Sequence, residues 1–443
     1  MSDLNEYKKV TLTAPGSKSV SHRLLICAAL AEGTSRIKNL LDSEDINCTA
    51  GCLHRLGAGL SSSNGEMRVI GVSGRIANPA QEPITLDVRE SGTTCRLLAG
   101  VVSAGHGSFL LQGRGRMHER PLLDLARAVE GQGTEFDWLE KGGCPPVRIS
   151  SQGFAGGDIT VNMDKSSQFL SGLLLAAPMA ACETRIHVSG TRAVSWPYVG
   201  LTLQAMHKFG AKVEIYEDQK PLAGGKKLGK IIPGETSFHV SPGQYRAKEV
   251  FAEGDYSSAS YLLAAGALGR AAVEVRGLDP ESLQGDRVIV DILRKMGACI
   301  EDGDDCFLSR PSDLHGTDID MGNCPDLVPT VAVAACTAKG ETRITNVGHL
   351  RLKESDRLAA LEQELGKAGF KIKAGENDLS IKGDPVPGRD MELATHADHR
   401  MAMSLSLLEL TGFKVSLDNP DCVAKSYPGF WEDLAQIKKA DGI

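Results

Sequence analysis

SVSHRLLICAALAEGTSRIKNL, residues 19–40, reads as a helix, a turn and a strand in succession. Leu24, Leu25, Ile26, Ala28, Ala29 and Leu30 leave no polar face between them, so the helix must be buried on all sides. Gly33 ends it. Residues 34–38 then alternate as a strand does, and Asn39 marks a turn. One feature of the helix opposes its own electrostatics. A helix N-terminus carries partial positive charge and favours acids, yet Lys18 and Arg23 stand at this one.

The same grammar recurs. SGTTCRLLAGVVSAGHGSFLLQG (91–113), SSQFLSGLLLAAPMAACETRIHVSG (166–190), YSSASYLLAAGALGRAAVEVRG (256–277), PDLVPTVAVAACTAKGETRITNV (325–347) and DHRMAMSLSLLELTGFKVSLDNP (398–420) each pair an apolar helix with a short strand. A second, amphipathic helix follows each, as in PYVGLTLQAMHKFGAKVEIY (197–216) or ESDRLAALEQELGKAGFKIK (354–373). The openings fall about 70 residues apart, which makes each copy a supersecondary unit. The largest gap lies between copies three and four. It holds the Gly- and Lys-rich insert at 217–235, which reads as an exposed loop or long hairpin. The pattern predicts two α/β domains of three units each around buried helices. A short strand at 7–13 precedes the first unit and could pair in either half.

Composition narrows the function. The 443 residues allow two or three domains, and 42% hydrophobic with 24% charged content suits a globular chain. A net charge of −7 argues against a nucleic-acid surface. No apolar run is long enough for a membrane span, and the polar opening MSDLNEYKKV lacks a signal peptide's core, so a cytoplasmic location is expected. The 11 scattered cysteines read as reduced and buried. Cys48, Cys52 and His54 lack a second ligand pair, so they read as a helix face and no metal is expected. GGKKLGK (224–230) resembles a phosphate loop, but Ile231 stands where Ser or Thr is needed. No dinucleotide, zincin or hydrolase signature occurs.

The misplaced cations also recur. Arg96 follows SGTT, Lys165 precedes SSQF, and Arg400 follows Asp398 and His399. Arg116 and Arg120 stand in GRGRMHERP, Lys353 and Arg357 in RLKESDRL, and Lys425 in VAKSYPG. Taken singly, each has an ordinary reading. Lys353 and Arg357 would share a helix face, Arg400 would pair with Asp398, Ser166 and Ser167 would cap a helix, and so would Asp326. Together they read differently. Helix N-termini with their free N–H groups, joined by Lys and Arg, bind small anions.

PGSKSVSHR, SGTTCRLLAG, RMHERP, SSQFLSGLLLAAP, GDYSSASYLLAAG, KESDRL, DHRMAMSLSL and AKSYPGF resemble, in order and over nearly the whole chain, the 5-enolpyruvylshikimate-3-phosphate synthases (3-phosphoshikimate 1-carboxyvinyltransferases). That resemblance implies the enolpyruvyl transferase fold, with three repeated βαβαββ units in each of two domains. It places residues 17–249 in one domain and 1–16 with 250–443 in the other, with the active site in the cleft between them. It implies transfer of the enolpyruvyl group of phosphoenolpyruvate to the 5-hydroxyl of shikimate 3-phosphate, with domain closure, no cofactor and no metal. The expected partners are those two small molecules, with no nucleic acid and no membrane, and the expected state is a monomer.

The resemblance also implies roles. Lys18 is expected on both substrates. Ser19, Arg23, Ser166, Ser167, Gln168, Ser195, Asp326, His349 and Lys353 are expected on shikimate 3-phosphate. Gly92, Arg116, Gln168, Arg357, Arg400 and Lys425 are expected on phosphoenolpyruvate. Asp326 with Lys353 would handle the hydroxyl proton and Glu354 the methylene proton, while Lys18 assists. The chain departs from the commoner family pattern at Glu90, Trp196 and His349. The similar UDP-N-acetylglucosamine enolpyruvyl transferases use a loop Cys, which GRGRMHERP lacks.

Overall fold

The computed structural model describes residues 7–63, 65–222, 229–384 and 388–443. These divide into two compact units, one of Lys18–Ala252 and one of Glu253–Ile443 together with the N-terminal residues through Ser17.

In the unit Lys18–Ala252, three sheets share one plan. A strand runs parallel to its neighbour, and two further strands follow antiparallel. Thus Ile84–Arg89 lies parallel to His106–Gly113, which pairs with Val147–Gln152 and then Thr134–Trp138. Gly157–Asn162 lies parallel to Thr184–Ser189, followed by Thr236–Val240 and Val213–Glu217. Parallel neighbours need a crossover, and the buried helices Gly92–Ser103 and Gln168–Ala176 supply it. The third sheet is assembled from both ends of the unit: Glu249–Phe251 lies parallel to Thr34–Lys38, which continues to Glu66–Ile70 and Gly59–Ser63. At the start of the 217–235 insert, Asp218 and Gln219 have φ of 48° and 61° and turn the chain tightly into Lys220–Pro221. Residues 223–228, most of the phosphate-loop look-alike, lie outside the described residues.

The other unit repeats the plan. Lys9–Thr13 lies parallel to Ala272–Arg276, followed by Cys306–Arg310 and Cys299–Asp302. Asp318–Asp320 lies parallel to Gly340–Thr345, followed by Asp378–Gly383 and Lys371–Ala374. The N-terminal strand, which the sequence left free to pair in either half, is therefore an edge here. The sixth copy departs from the expected full βαβαββ unit. It keeps only the parallel pair Asp390–Leu393 and Lys414–Leu417. Its second helix, Phe430–Asp441, follows as in the other copies, and its last residue accepts the Arg270 and Ala271 N–H groups at 3.0 and 2.6 Å.

The helices Lys18–Leu30, Gly92–Ser103 and Gln168–Ala176 form the core of the first unit, and Tyr256–Leu268, Val328–Thr337 and His399–Ser406 that of the second. Each is buried around its whole circumference. Small residues let such helices meet closely. A Cβ on Gly100 would lie 2.4 Å from the Gly172 carbonyl carbon of the neighbouring helix. Gly100→Leu is therefore expected to cost at least about 3 kcal/mol through overpacking, read as a lower urea midpoint for unfolding. An unchanged midpoint would show that the helices can part. The hydroxyls inside these bundles are paired. Thr202 donates to Ser171 at 3.0 Å in one unit, and Ser260 lies 3.1 Å from Thr330 in the other.

Candidate active site

The three inner helices of Lys18–Ala252 all begin without an acid in their first turn. Lys18 finds its carboxylate on the next helix, Glu44–Arg55, whose Asp45 stands 3.2 Å away. Arg23 is 1% exposed. It donates to the Thr202 hydroxyl at 2.7 Å, the Ser19 carbonyl at 2.8 Å and the Ser171 hydroxyl at 3.5 Å. None of these is a carboxylate, and burial lowers its pKa to about 10. A buried guanidinium solvated by hydroxyls and a carbonyl is costly unless an anion joins it.

The second inner helix opens at Gly92, capped by Ser91, whose hydroxyl accepts the Thr94 N–H at 3.3 Å. The Arg120 guanidinium packs so closely there that a Cβ on Gly92 would lie 2.4 Å from its Cζ. Only glycine admits that approach. Arg96 donates to the Gln168 side-chain oxygen at 2.9 Å and lies over the Phe169 ring. Gln168 in turn donates to the Thr93 hydroxyl at 2.9 Å. These bonds tie the first turn of the third inner helix to that of the second. Ser166 and Ser167 are buried just before Gln168, and Ser166 accepts the Gln168 N–H at 3.2 Å. Ser195 is also buried, in a left-handed turn with φ 53°. Arg116 lies in the turn Gly115–Glu119. Its side chain is 41% exposed and pairs with Glu119 at 3.5 Å. The arginine of RMHERP that stands at Gly92 is Arg120.

In the other unit, Asp326 occupies a short 3-10 turn, Pro325–Leu327, ahead of its helix. Its carboxylate meets cations instead of capping backbone. Arg357 donates to Oδ1 at 2.9 Å and Arg400 to Oδ2 at 2.7 Å, with Lys353 3.8 Å from Oδ1. Arg357 also donates to Glu354 at 3.0 Å and to Asp398 at 2.7 Å. Lys425 stands 3.9 Å from Glu354. Burial acts to lower the Arg357 pKa, but Asp398, Glu354 and Asp326 together push it above its ordinary value. His349 is buried in the turn Gly348–Leu352, just before Lys353.

Two expectations change here. Lys353 and Arg357 do not share a helix face, because the helix starts only at Arg357, capped by Asp356. The Arg400 side chain donates to Asp326 at 2.7 Å and to the Tyr261 hydroxyl at 3.2 Å. Asp398 accepts the Arg400 backbone N–H at 3.0 Å and gives its charge to Arg357. The local backbone explains this. His396 and Ala397 both adopt φ 53°, a left-handed corner that costs about 1–2 kcal/mol per residue. The corner is held by Glu364, which lies 3.1 Å from His396, and by Asp418, which accepts the Thr395 N–H at 2.8 Å. It turns Asp398 inward.

The sequence assigned no site role to four residues that the packing brings in. Arg120 and Asp398 lie in the recognised motifs RMHERP and DHRMAMSLSL and Asp45 lies in none, and only packing reveals their partners. Asp286 carried no signal at all. It is buried and accepts from Ser257, and burial and then Asp326 raise its pKa to about 7.

A family model described as EPSP synthase (3-phosphoshikimate 1-carboxyvinyltransferase) matches residues 6–434. The chain is 41% identical over 428 residues to a 3-phosphoshikimate 1-carboxyvinyltransferase of Aeromonas salmonicida (strain A449), covering 96% of each. It is 40% identical over 429 residues to one of Shewanella baltica (strain OS185), again covering 96% of each. A solved EPSP synthase from Acinetobacter baumannii superposes with a TM-score of 0.74 at 26% identity, over 97% of this chain and 96% of that one.

Proposed function

Because the chain belongs to the EPSP synthase family, we infer that it transfers the carboxyvinyl group of phosphoenolpyruvate to the 5-hydroxyl of shikimate 3-phosphate. The products are 5-enolpyruvylshikimate 3-phosphate and phosphate, and the step belongs to aromatic amino-acid biosynthesis. The observation that carries the reading is the seven-membered cluster of Asp326, Lys353, Glu354, Arg357, Asp398, Arg400 and Lys425. It sets two candidate proton-transfer carboxylates on a single buried guanidinium.

The chemistry requires opposed proton transfers. The 5-hydroxyl loses a proton while the methylene carbon gains one, and a tetrahedral adduct forms. Phosphate then leaves as a methyl proton is given back. Asp326, with Lys353 beside it, acts at the hydroxyl, and Glu354 acts at the methylene carbon. Arg357, Arg400 and Lys425 take the carboxylate and phosphate of phosphoenolpyruvate. Lys18, Gly92, Gln168 and Arg116 serve the same substrate, and Arg120, whose guanidinium packs at Gly92, joins them. Ser19, Arg23, Ser166, Ser167, Ser195 and His349 hold shikimate 3-phosphate, with Lys18, Gln168, Asp326 and Lys353 also reaching it. Arg23, buried without a carboxylate among its hydrogen-bond partners, suits a phosphate best. The protein works as a cytoplasmic monomer with no cofactor.

Mixing the chain with both substrates should release one phosphate per enolpyruvyl group transferred, and either substrate alone should release none. Both KM values should rise with ionic strength, because screening weakens charge pairing. Bound substrates without phosphate release would reject the assignment.

A further inference from the structure

The reaction as described leaves one buried polar network of the unit Lys18–Ala252 without a task. His22 lies one helical turn beyond Lys18, and Thr49 one turn beyond Asp45. Two rungs therefore join these helices. Lys18 Nζ meets Asp45 Oδ2 at 3.2 Å, and His22 Nδ1 meets Thr49 Oγ1 at 2.8 Å. The second rung continues into a third helix. Thr49 Oγ1 is 2.6 Å from Thr94 Oγ1, which donates to Ser91 Oγ at 2.7 Å. The Asp45 carbonyl lies 3.3 Å from the Thr49 hydroxyl and 3.5 Å from that of Thr94. Ser91 caps the helix that opens at Gly92. A line of side chains thus runs from the Lys18 helix to the Gly92 helix terminus, all of it buried.

We propose that His22, Thr49 and Thr94 are positioning residues, which hold the Gly92 helix terminus in register with Lys18 so that both meet phosphoenolpyruvate together. This rests on the carboxyvinyl-transfer reading above. Helices packed through small apolar residues gain little from any one register. Directional hydrogen bonds supply the missing constraint. Two groups that grip one small anion must be placed to within about half an ångström. His22 does this as a neutral ring. Burial, Lys18 and Arg23 outweigh Asp45 and lower its pKa to about 3. Its Nε2 is buried with no hydrogen-bond partner among the described residues, so a second ring proton would have no acceptor. The network adds no charge to the anion site and stays intact across the working pH range.

Thr49→Val removes the hydroxyl at nearly constant shape, and Thr49→Ser keeps it. In steady-state phosphate release, Thr49→Val should raise the phosphoenolpyruvate KM about tenfold and move the shikimate 3-phosphate KM by less than about twofold. Thr49→Ser should stay within about threefold of wild type. His22→Phe, which fills the ring's space without nitrogen, should repeat the Thr49→Val result. Hydrogen exchange gives a second readout that needs no turnover. Thr49→Val should speed exchange of the amides at 94–97 while those at 24–30 keep their rates. Unchanged KM values, equal damage from Val and Ser, or unchanged exchange at 94–97 would overturn the proposal. If the wild type itself releases no phosphate, the transferase reading fails, and the exchange comparison alone decides whether the network sets the helix terminus.

Discussion

Asp398→Ala should cost about 3 kcal/mol or more in the unfolding free energy of the unit that contains it. The carboxylate is 0% exposed. It accepts from Arg357 Nε at 2.7 Å, Arg357 Nη2 at 3.2 Å and Ser355 Oγ at 3.0 Å, and caps the helix at the Arg400 N–H. Removing one partner of a buried pair leaves the other charge uncompensated, which is worse than removing both. Arg357 would keep Asp326 and Glu354, so the loss belongs at the lower end of the usual range. The lost helix cap adds about 1 kcal/mol. Asp398→Asn retains the cap and should lose less than Asp398→Ala. Urea unfolding of the whole chain, followed for the transition of that unit, measures both. A change below about 1 kcal/mol for Asp398→Ala would mean that Arg357 is adequately held without it.

Glu354→Gln should leave the fold and the binding of both substrates intact and lower kcat by about a hundred- to ten-thousandfold. Glutamine keeps an oxygen for Arg357 Nη2, now 3.0 Å from Glu354. It cannot exchange a proton with the methylene carbon. A fall in kcat with little change in KM would locate the loss in the transition state. Near-normal kcat would remove Glu354 from the proton transfers and leave Asp326 alone in that role. The two substitutions separate neighbouring carboxylates on one guanidinium. Asp398 should govern stability and Glu354 rate.

The repeat was plain in the sequence because it is written in local chemistry. An all-round apolar helix such as 24–30 can only be buried, and a strand such as 34–38 alternates whatever its partners are. The partner of the N-terminal strand was not legible in local pattern, and only the family resemblance assigned that strand to the second half. Lys9–Thr13 pairs with residues more than 250 positions away, and nothing in its own composition names them.

Among the charges, the sequence by itself determined that cations stand at buried helix fronts and that the motifs follow family order. Only the tertiary structure decided which anion each cation faces. It put the Arg120 guanidinium against Gly92, and set Asp398 on the Arg357 side chain and on the Arg400 backbone N–H. The physical reason is range. Helix and strand periodicity is set within one or two turns of chain, whereas ion pairing depends on side-chain direction across packed helices, and a left-handed corner such as His396–Ala397 can reverse that direction within two residues.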